Sequence, residues 1–164
     1  MELVWTRAFT FVLKTTVYAF AAIVTTYLLA TWCGSLLYRH HLKKGSTISI
    51  TTLLGSLCLF SFLPIVLVDP RLHYSPLLTL VSIVPICAAL GYMTPKLIDD
   101  YSHGRPARAG PSYGWNIAGG TLGPLLAAYL LLPLIGVRAA LALLAMPLIG
   151  LYIWSAGRTH TRFP

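Results

Sequence analysis

Two neighbouring carboxylates, Asp99 and Asp100, form the only acidic pair in the sequence. Paired carboxylates can perform general acid–base catalysis or contribute to a metal site. Adjacent side chains on a helix point about 100° apart, however, and no second acidic cluster joins these two. The pattern therefore favours ion pairs with Arg105 or Arg108 over a catalytic site.

The five histidines all lie outside the apolar segments of the chain. Haem or chlorophyll ligation inside a bilayer usually uses a histidine on a membrane span, and His40–His41 has no Cys, Asp or Glu at metal-ligand spacing. We interpret this pair as solvated loop residues, with an axial ligand at a helix end as the alternative for His40. No Gly-x-Ser-x-Gly motif or nucleophile–base pair occurs. We expect no enzyme activity and no bound cofactor or metal, which leaves lipid or peripheral pigment as surface contacts.

A glycine-rich stretch at residues 118–124 superficially suggests a phosphate-binding loop. Such a loop needs a strand before it and a helix after it, so that its amides point at phosphate. Here the glycines lie inside an apolar run. Gly119, Gly123 and Ala127 repeat every four residues, which predicts a ridge of small residues that lets another helix approach closely.

Two further features point to helix packing. Ala30 and Gly34 form a weaker ridge with the same spacing. Asn116 lies near the start of its apolar run, where a buried amide needs a hydrogen-bond partner. We expect that partner on another helix, with a substrate contact as the alternative.

The composition explains why packing dominates over chemistry. Of the 164 residues, 57% are hydrophobic and 10% are charged, and the mean hydropathy is +0.76. A soluble domain averages about 25% charged residues, so lipid must be the main solvent, and lipid permits helices or closed barrels. The runs are too long for barrel strands. We predict one all-α membrane domain, residues 1–164, with about five spans: 15–38, 47–68, 76–94, 115–133 and 139–156.

The breaks between these runs predict the connections. The third break, from Lys96 to Ser112, is long and polar and is interpreted as a loop. The fourth, at residues 134–137, predicts a tight turn around Gly136. Residues 3–13 favour a short helix lying in the membrane interface, with packing at the start of the first span as the alternative.

The basic residues predict the orientation, because cytoplasmic loops are enriched in Lys and Arg. With five spans, eight of the twelve fall on the side of the C-terminus, and four fall on the other. The net charge of +8 thus indicates a cytoplasmic C-terminus and contact with anionic lipids. No basic helix or aromatic–basic platform suggests nucleic acid as a partner. The eight residues are Arg39, Lys43, Lys44, Lys96, Arg105, Arg108, Arg158 and Arg162.

Scattered small residues and prolines carry a family likeness. They lie in Glu2–Arg7, Thr16–Phe20, Gly34–Ser35, Gly91–Pro95, Arg105–Gly110, Tyr113–Asn116, Gly119, Gly123–Pro124 and Leu132–Gly136. This pattern resembles the membrane module of fused spermidine synthase-like proteins, bacterial proteins in which a hydrophobic helical domain precedes an aminopropyltransferase domain. The resemblance covers most of residues 2–137 and implies a helix layout. The glycine-rich, acidic nucleotide loop of the catalytic domain has no counterpart, so we expect no aminopropyl transfer.

We therefore expect a non-catalytic subunit of the bacterial inner membrane that packs against other membrane-protein subunits, in a respiratory or photosynthetic complex for example. A small-solute or polyamine transporter is one alternative, because several prolines offer places for broken helices. The lack of Asp and Glu in the apolar runs weakens it. A membrane anchor for a separately encoded enzyme is the other.

The orientation can be tested with a reporter fused after Pro164. Because eight of twelve basic residues lie on that side of the five-span arrangement, we expect a cytoplasmic signal. A periplasmic signal would contradict the number of spans or their orientation.

Overall fold

The computed structural model describes residues 16–67 and 76–160, and all regular structure in these ranges is helical. The elements in chain order are α1 (Thr16–Lys43), α2 (Ile50–Leu67), α3 (Pro76–Ser82), α4 (Val84–Ser102), α5 (Pro106–Leu126), a π-helical turn (Ala127–Leu131) and α6 (Leu132–His160). The predicted all-α class is confirmed. The interfacial helix expected at residues 3–13 lies outside the described residues.

Four helical segments of the described chain are long and apolar enough to cross a membrane: Phe20–Lys43, Leu80–Ser102, Pro106–Val137 and Ala139–Gly157. The remaining predicted span corresponds to α2. Its 18 residues rise about 27 Å at 1.5 Å per residue, slightly less than the roughly 30 Å hydrocarbon core. The chain is therefore a multi-pass helical bundle with four long spans and a shorter fifth apolar helix.

The third predicted span contains both α3 and α4, which meet at Ile83. Pro85 lies at the start of α4 and has no backbone N–H, so the carbonyl four residues earlier lacks its usual helical partner. The Ile83 N–H bonds to the Leu80 carbonyl at 3.3 Å, one residue closer in the chain than in an α-helix. The helical hydrogen bonding is therefore tighter at the junction of α3 and α4, and the membrane span continues through this point.

The predicted long loop from Lys96 to Ser112 is wrong, because most of it is helical. Helix α4 continues to Ser102, and α5 begins at Pro106. His103 ends α4 in the left-handed conformation with φ 47°, and its N–H bonds to the Asp99 carbonyl. Gly104 follows with φ 73°, and Pro106 is preorganised for the first helical position. The connection between α4 and α5 takes only three residues. The polar residues on either side of it therefore belong to these two helices.

At the predicted tight turn, residues 134–137, the structure has a break in helical conformation at Gly136. Gly136 has φ 73° and ψ 175° within α6, a conformation that is almost confined to glycine because any Cβ would clash with the backbone. This residue separates the end of the fourth span from the long remainder of α6. The helix is kinked there without a polar loop.

The core lies where α1 and α4 pack together, with α2 and α6 beside them. The hydroxyl of Tyr38 donates a hydrogen bond to Asp99, so the carboxyl-terminal ends of α1 and α4 lie at the same end of the bundle. Helix α5 has no buried residue. The buried core side chains come from α1, α2, α4, α6 and their junctions: Ile23, Ala30, Leu57, Ile83, Ile86, Cys87, Ala127, Ala140 and Leu141.

Replacement of Gly136 by alanine tests the turn. A Cβ in this conformation costs about 1–3 kcal/mol, so we expect a lower midpoint of thermal unfolding in detergent, measured by circular dichroism. Gly150→Ala is the matched control in the same helix, because its added Cβ meets no atom within 4 Å and alanine favours the helix. Equal melting temperatures for the two variants would contradict the assigned turn.

Candidate functional site

Two helices approach closely at Gly34 of α1 and Gly91 of α4. A Cβ built on Gly34 would overlap the backbone carbonyl of Ala88, and a Cβ built on Gly91 would overlap the backbone of Thr31. Neither position can hold a side chain unless the helices separate. The two helices therefore touch backbone to backbone, as small residues allow in membrane proteins.

Gly34 lies in this contact, and Ala30, one turn earlier on α1, is only 4% exposed and packs in the core. The ridge that looked weaker in the sequence is thus the one that packs within the chain. Gly91 contributes the opposing surface and was not predicted as a packing residue. A single glycine inside an apolar span was the available signal, because small residues let helices approach closely in membranes.

The ridge on α5 has different surroundings. Gly119 and Gly123 are exposed, and no atom of the described residues lies within 4 Å of a Cβ built on either. Asn116 is also exposed and makes no side-chain hydrogen bond within the described part of the chain. Only Ala127, in the π-helical turn, is buried against the core, at 3% exposure. The close helix contact expected at the two glycines is not made inside this chain and stays a prediction for contact with another molecule.

A second cluster, the polar lock, consists of Tyr38 and His41 on α1 with Tyr92 and Asp99 on α4. Tyr38 donates its hydroxyl hydrogen to Asp99 Oδ2 at 2.7 Å. The rings of Tyr38 and Tyr92 meet edge to face with centroids 5.3 Å apart, a favoured aromatic geometry. The lock therefore joins the carboxyl-terminal ends of the two helices that cross at Gly34 and Gly91.

The hydroxyl of Tyr92 makes two contacts in the polar lock. It accepts the backbone N–H of Ile48 at 3.1 Å and lies 3.1 Å from His41 Nδ1. Because the Ile48 N–H is the donor in the first bond, the Tyr92 hydroxyl keeps its own hydrogen, and the direction of its hydrogen bond with His41 depends on the tautomer of the ring. This arrangement ties the connection between α1 and α2 to α4, and His41 is a helix residue rather than a solvated loop residue.

The expected pairing of Asp99 or Asp100 with Arg105 or Arg108 is wrong. Asp100 pairs with Lys96 at 3.1 Å, one helical turn away, while Asp99 accepts from Tyr38. Residues four apart face each other on a helix, whereas the arginines follow the reversal after His103. Lys96 is nearly buried, at 7% exposure. Both carboxylates are thus held by α1 and α4 themselves.

Within the described residues, these polar contacts position the helices. Among residues 16–67 and 76–160, no group of three or more His, Cys, Asp or Glu side chains could hold a metal ion. Asp99 accepts a hydrogen bond from the Tyr38 hydroxyl; it does not orient a catalytic base beside a nucleophile. The described polar groups connect helix ends.

Comparison with family models, curated proteins and solved structures found no match for this chain. The resemblance to the membrane module of spermidine synthase-like proteins therefore stays an expectation based on its residues.

The polar lock can be tested by replacing Tyr92 with phenylalanine. The ring and its packing remain, but the Ile48 N–H and His41 lose their partner, so we expect a loss of about 1–3 kcal/mol in unfolding free energy. Thermal unfolding in detergent is the measurement. Tyr101→Phe on the same helix is the control, because Tyr101 is 61% exposed. A Tyr92→Phe protein as stable as this control would contradict the lock.

Proposed function

We propose that this chain is a non-catalytic subunit of a larger membrane-protein assembly, which it joins through α5. The observation that carries the proposal is the exposure of α5, a helix with no buried residue. The contact surface, here called the open face, consists of Asn116, Gly119, Gly120 and Gly123, with Trp115 and Tyr129 nearby. Those two aromatic side chains are 81% and 80% exposed.

The residue types of the open face support a protein neighbour over lipid alone. Large apolar side chains pack well against lipid acyl chains, whereas glycines leave the helix backbone exposed and add no side-chain contact with the acyl chains. An amide such as Asn116 is unfavourable in hydrocarbon without a hydrogen-bond partner. A second helix over the glycines gains van der Waals contact along the backbone and can offer a partner to the amide.

The chain itself shows what such a contact looks like. At Gly34 and Gly91, backbone touches backbone, and a side chain at either position would collide. Gly119 and Gly123 have the same four-residue spacing as Ala30 and Gly34 but face no helix of the described chain. The open face therefore resembles one of the two helix surfaces that meet in such a crossing.

The π-helical turn supports a defined orientation for this face. Pro124 has no backbone N–H, and the helix widens from Ala127 to Leu131 immediately afterwards. The N–H of Leu132 bonds to the Ala127 carbonyl, five residues back, and Ala127 packs into the core. Such turns often mark functional positions in helices. The bundle holds the end of the span while the rest of α5 stays uncovered.

The proposal includes the bacterial inner membrane as the location and a cytoplasmic C-terminus, based on the basic residues. Helix ends that carry Arg39, Lys43, Lys44, Lys96, Arg105 and Arg108 share one end of the bundle. This shared end agrees with the arrangement from which the orientation was inferred.

Gly123→Leu tests the proposal. A leucine here should block a close helix contact, so we expect the variant to be lost from a native assembly after gentle detergent extraction. Native electrophoresis with mass spectrometry measures this. The matched control is Gly150→Leu, because Gly150 is also an exposed helical glycine with no atom near its added Cβ. Both variants should retain the wild-type melting temperature, since an added Cβ at either site meets no atom of the described residues within 4 Å.

The same experiment separates the alternatives. Co-purification with a fixed set of larger membrane subunits supports the proposal. A homodimer without other subunits favours the transporter, and a single soluble enzyme as partner favours the anchor. Assembly of Gly123→Leu at the wild-type level would show that the glycines make no contact, and the open face would then not be the docking site.

A further inference from the structure

We propose that the exposed basic residues at one end of the bundle form a binding surface for the headgroups of anionic phospholipids. This surface, here called the basic rim, consists of Arg39, Lys43, Lys44, Arg105 and Arg108, all of which are exposed. It is separate from the open face of α5 and does not depend on the proposed function.

Tertiary structure brings the two halves of the rim to one end of the molecule. Arg39, Lys43 and Lys44 lie at the end of α1 and just beyond it, whereas Arg105 and Arg108 lie at the start of α5. The hydrogen bond from Tyr38 to Asp99, 2.7 Å long, holds the end of α1 against the end of α4. Since α5 begins immediately after the reversal that ends α4, its first turn belongs to the same end.

The local carboxylates leave most of this positive charge uncompensated. Asp100 is paired with Lys96 at 3.1 Å, and Asp99 is hydrogen-bonded to the Tyr38 hydroxyl. None of the five rim residues forms an ion pair within the described residues. The polar lock and the Lys96–Asp100 pair thus occupy the two acids that could otherwise have neutralised the rim.

The position of the basic rim favours phospholipid headgroups as its ligand. Its residues lie at the ends of membrane-spanning helices, where phospholipid phosphates are found, and their long side chains can reach that layer. Clusters of four to eight Lys and Arg residues beside spans bind anionic lipids by charge. Arginine also presents a planar fork that matches phosphate oxygens. Exposed hydroxyls of Ser46 and Thr47, directly after Lys44 and Gly45, add donors at the same level.

The test uses the whole purified protein in nanodiscs that contain equal amounts of phosphatidylglycerol and phosphatidylcholine. Native mass spectrometry measures the ratio of the two lipids that stay bound. The rim variants are Lys43→Gln/Lys44→Gln and Arg105→Gln/Arg108→Gln. The control is Arg71→Gln/Arg138→Gln, which removes the same charge from positions that the sequence assigns to the opposite side. Reconstitution makes the result independent of orientation in the cell.

We expect the wild-type protein to retain phosphatidylglycerol preferentially and each rim variant to lower the lipid ratio by about tenfold. The control should change it by less than about twofold, and unchanged melting temperatures would show that all variants fold. Gly123→Leu should keep the wild-type ratio, which distinguishes this proposal from the proposed function. An equal fall in the control, or wild-type ratios in both rim variants, would overturn the assignment.

Discussion

The contact between α1 and α4 at Gly34 and Gly91 is the constraint on which the rest of the described structure depends. Lipid tails are as apolar as leucine, so hydrophobicity does not drive helices together in a bilayer, and close packing has to do so. At this crossing, the backbones touch because neither glycine has a side chain. One helical turn further along α1 lies Tyr38, and two turns beyond Gly91 lies Asp99, which brings their side chains to 2.7 Å. The polar lock and the shared basic end both follow from this geometry.

The same residue type has opposite surroundings on α5. Gly34 and Gly91 pack against the backbone of another helix of the same chain, whereas Gly119 and Gly123 have no neighbour in the described residues. The described chain therefore divides into a packed part, formed by α1, α2, α4 and α6, and the helix α5, which has no buried residue. The exposed surface of α5 is the one through which we propose that the chain joins an assembly. The charges of the chain are concentrated at the helix ends, where they do not interfere with packing in the membrane.

The errors of the sequence analysis have physical causes. Polarity between Lys96 and Ser112 was interpreted as a loop, but Lys, Arg, Leu and Ala are good helix formers, and a helix that contains them can extend beyond the hydrocarbon layer. The reversal needed only His103, Gly104 and Arg105. Asp100 was expected to pair across that reversal, yet Lys96 lies four residues away on the same helix face. His41 was interpreted as solvated because its partner, Tyr92, is remote in sequence and meets it only through the α1–α4 contact.

Some features were determined by the sequence alone, because they depend on local chemistry. The low charge content required lipid as solvent and hence helices, the lengths of the apolar runs marked the spans, and Gly136 marked a turn that only glycine readily adopts. Tertiary structure decided which small residues meet. The spacing of Ala30 with Gly34 is the same as that of Gly119 with Gly123, so periodicity could not tell which ridge would be buried. Only the packing of whole helices assigns a neighbour to each face, and this packing left Asn116 and its glycines uncovered.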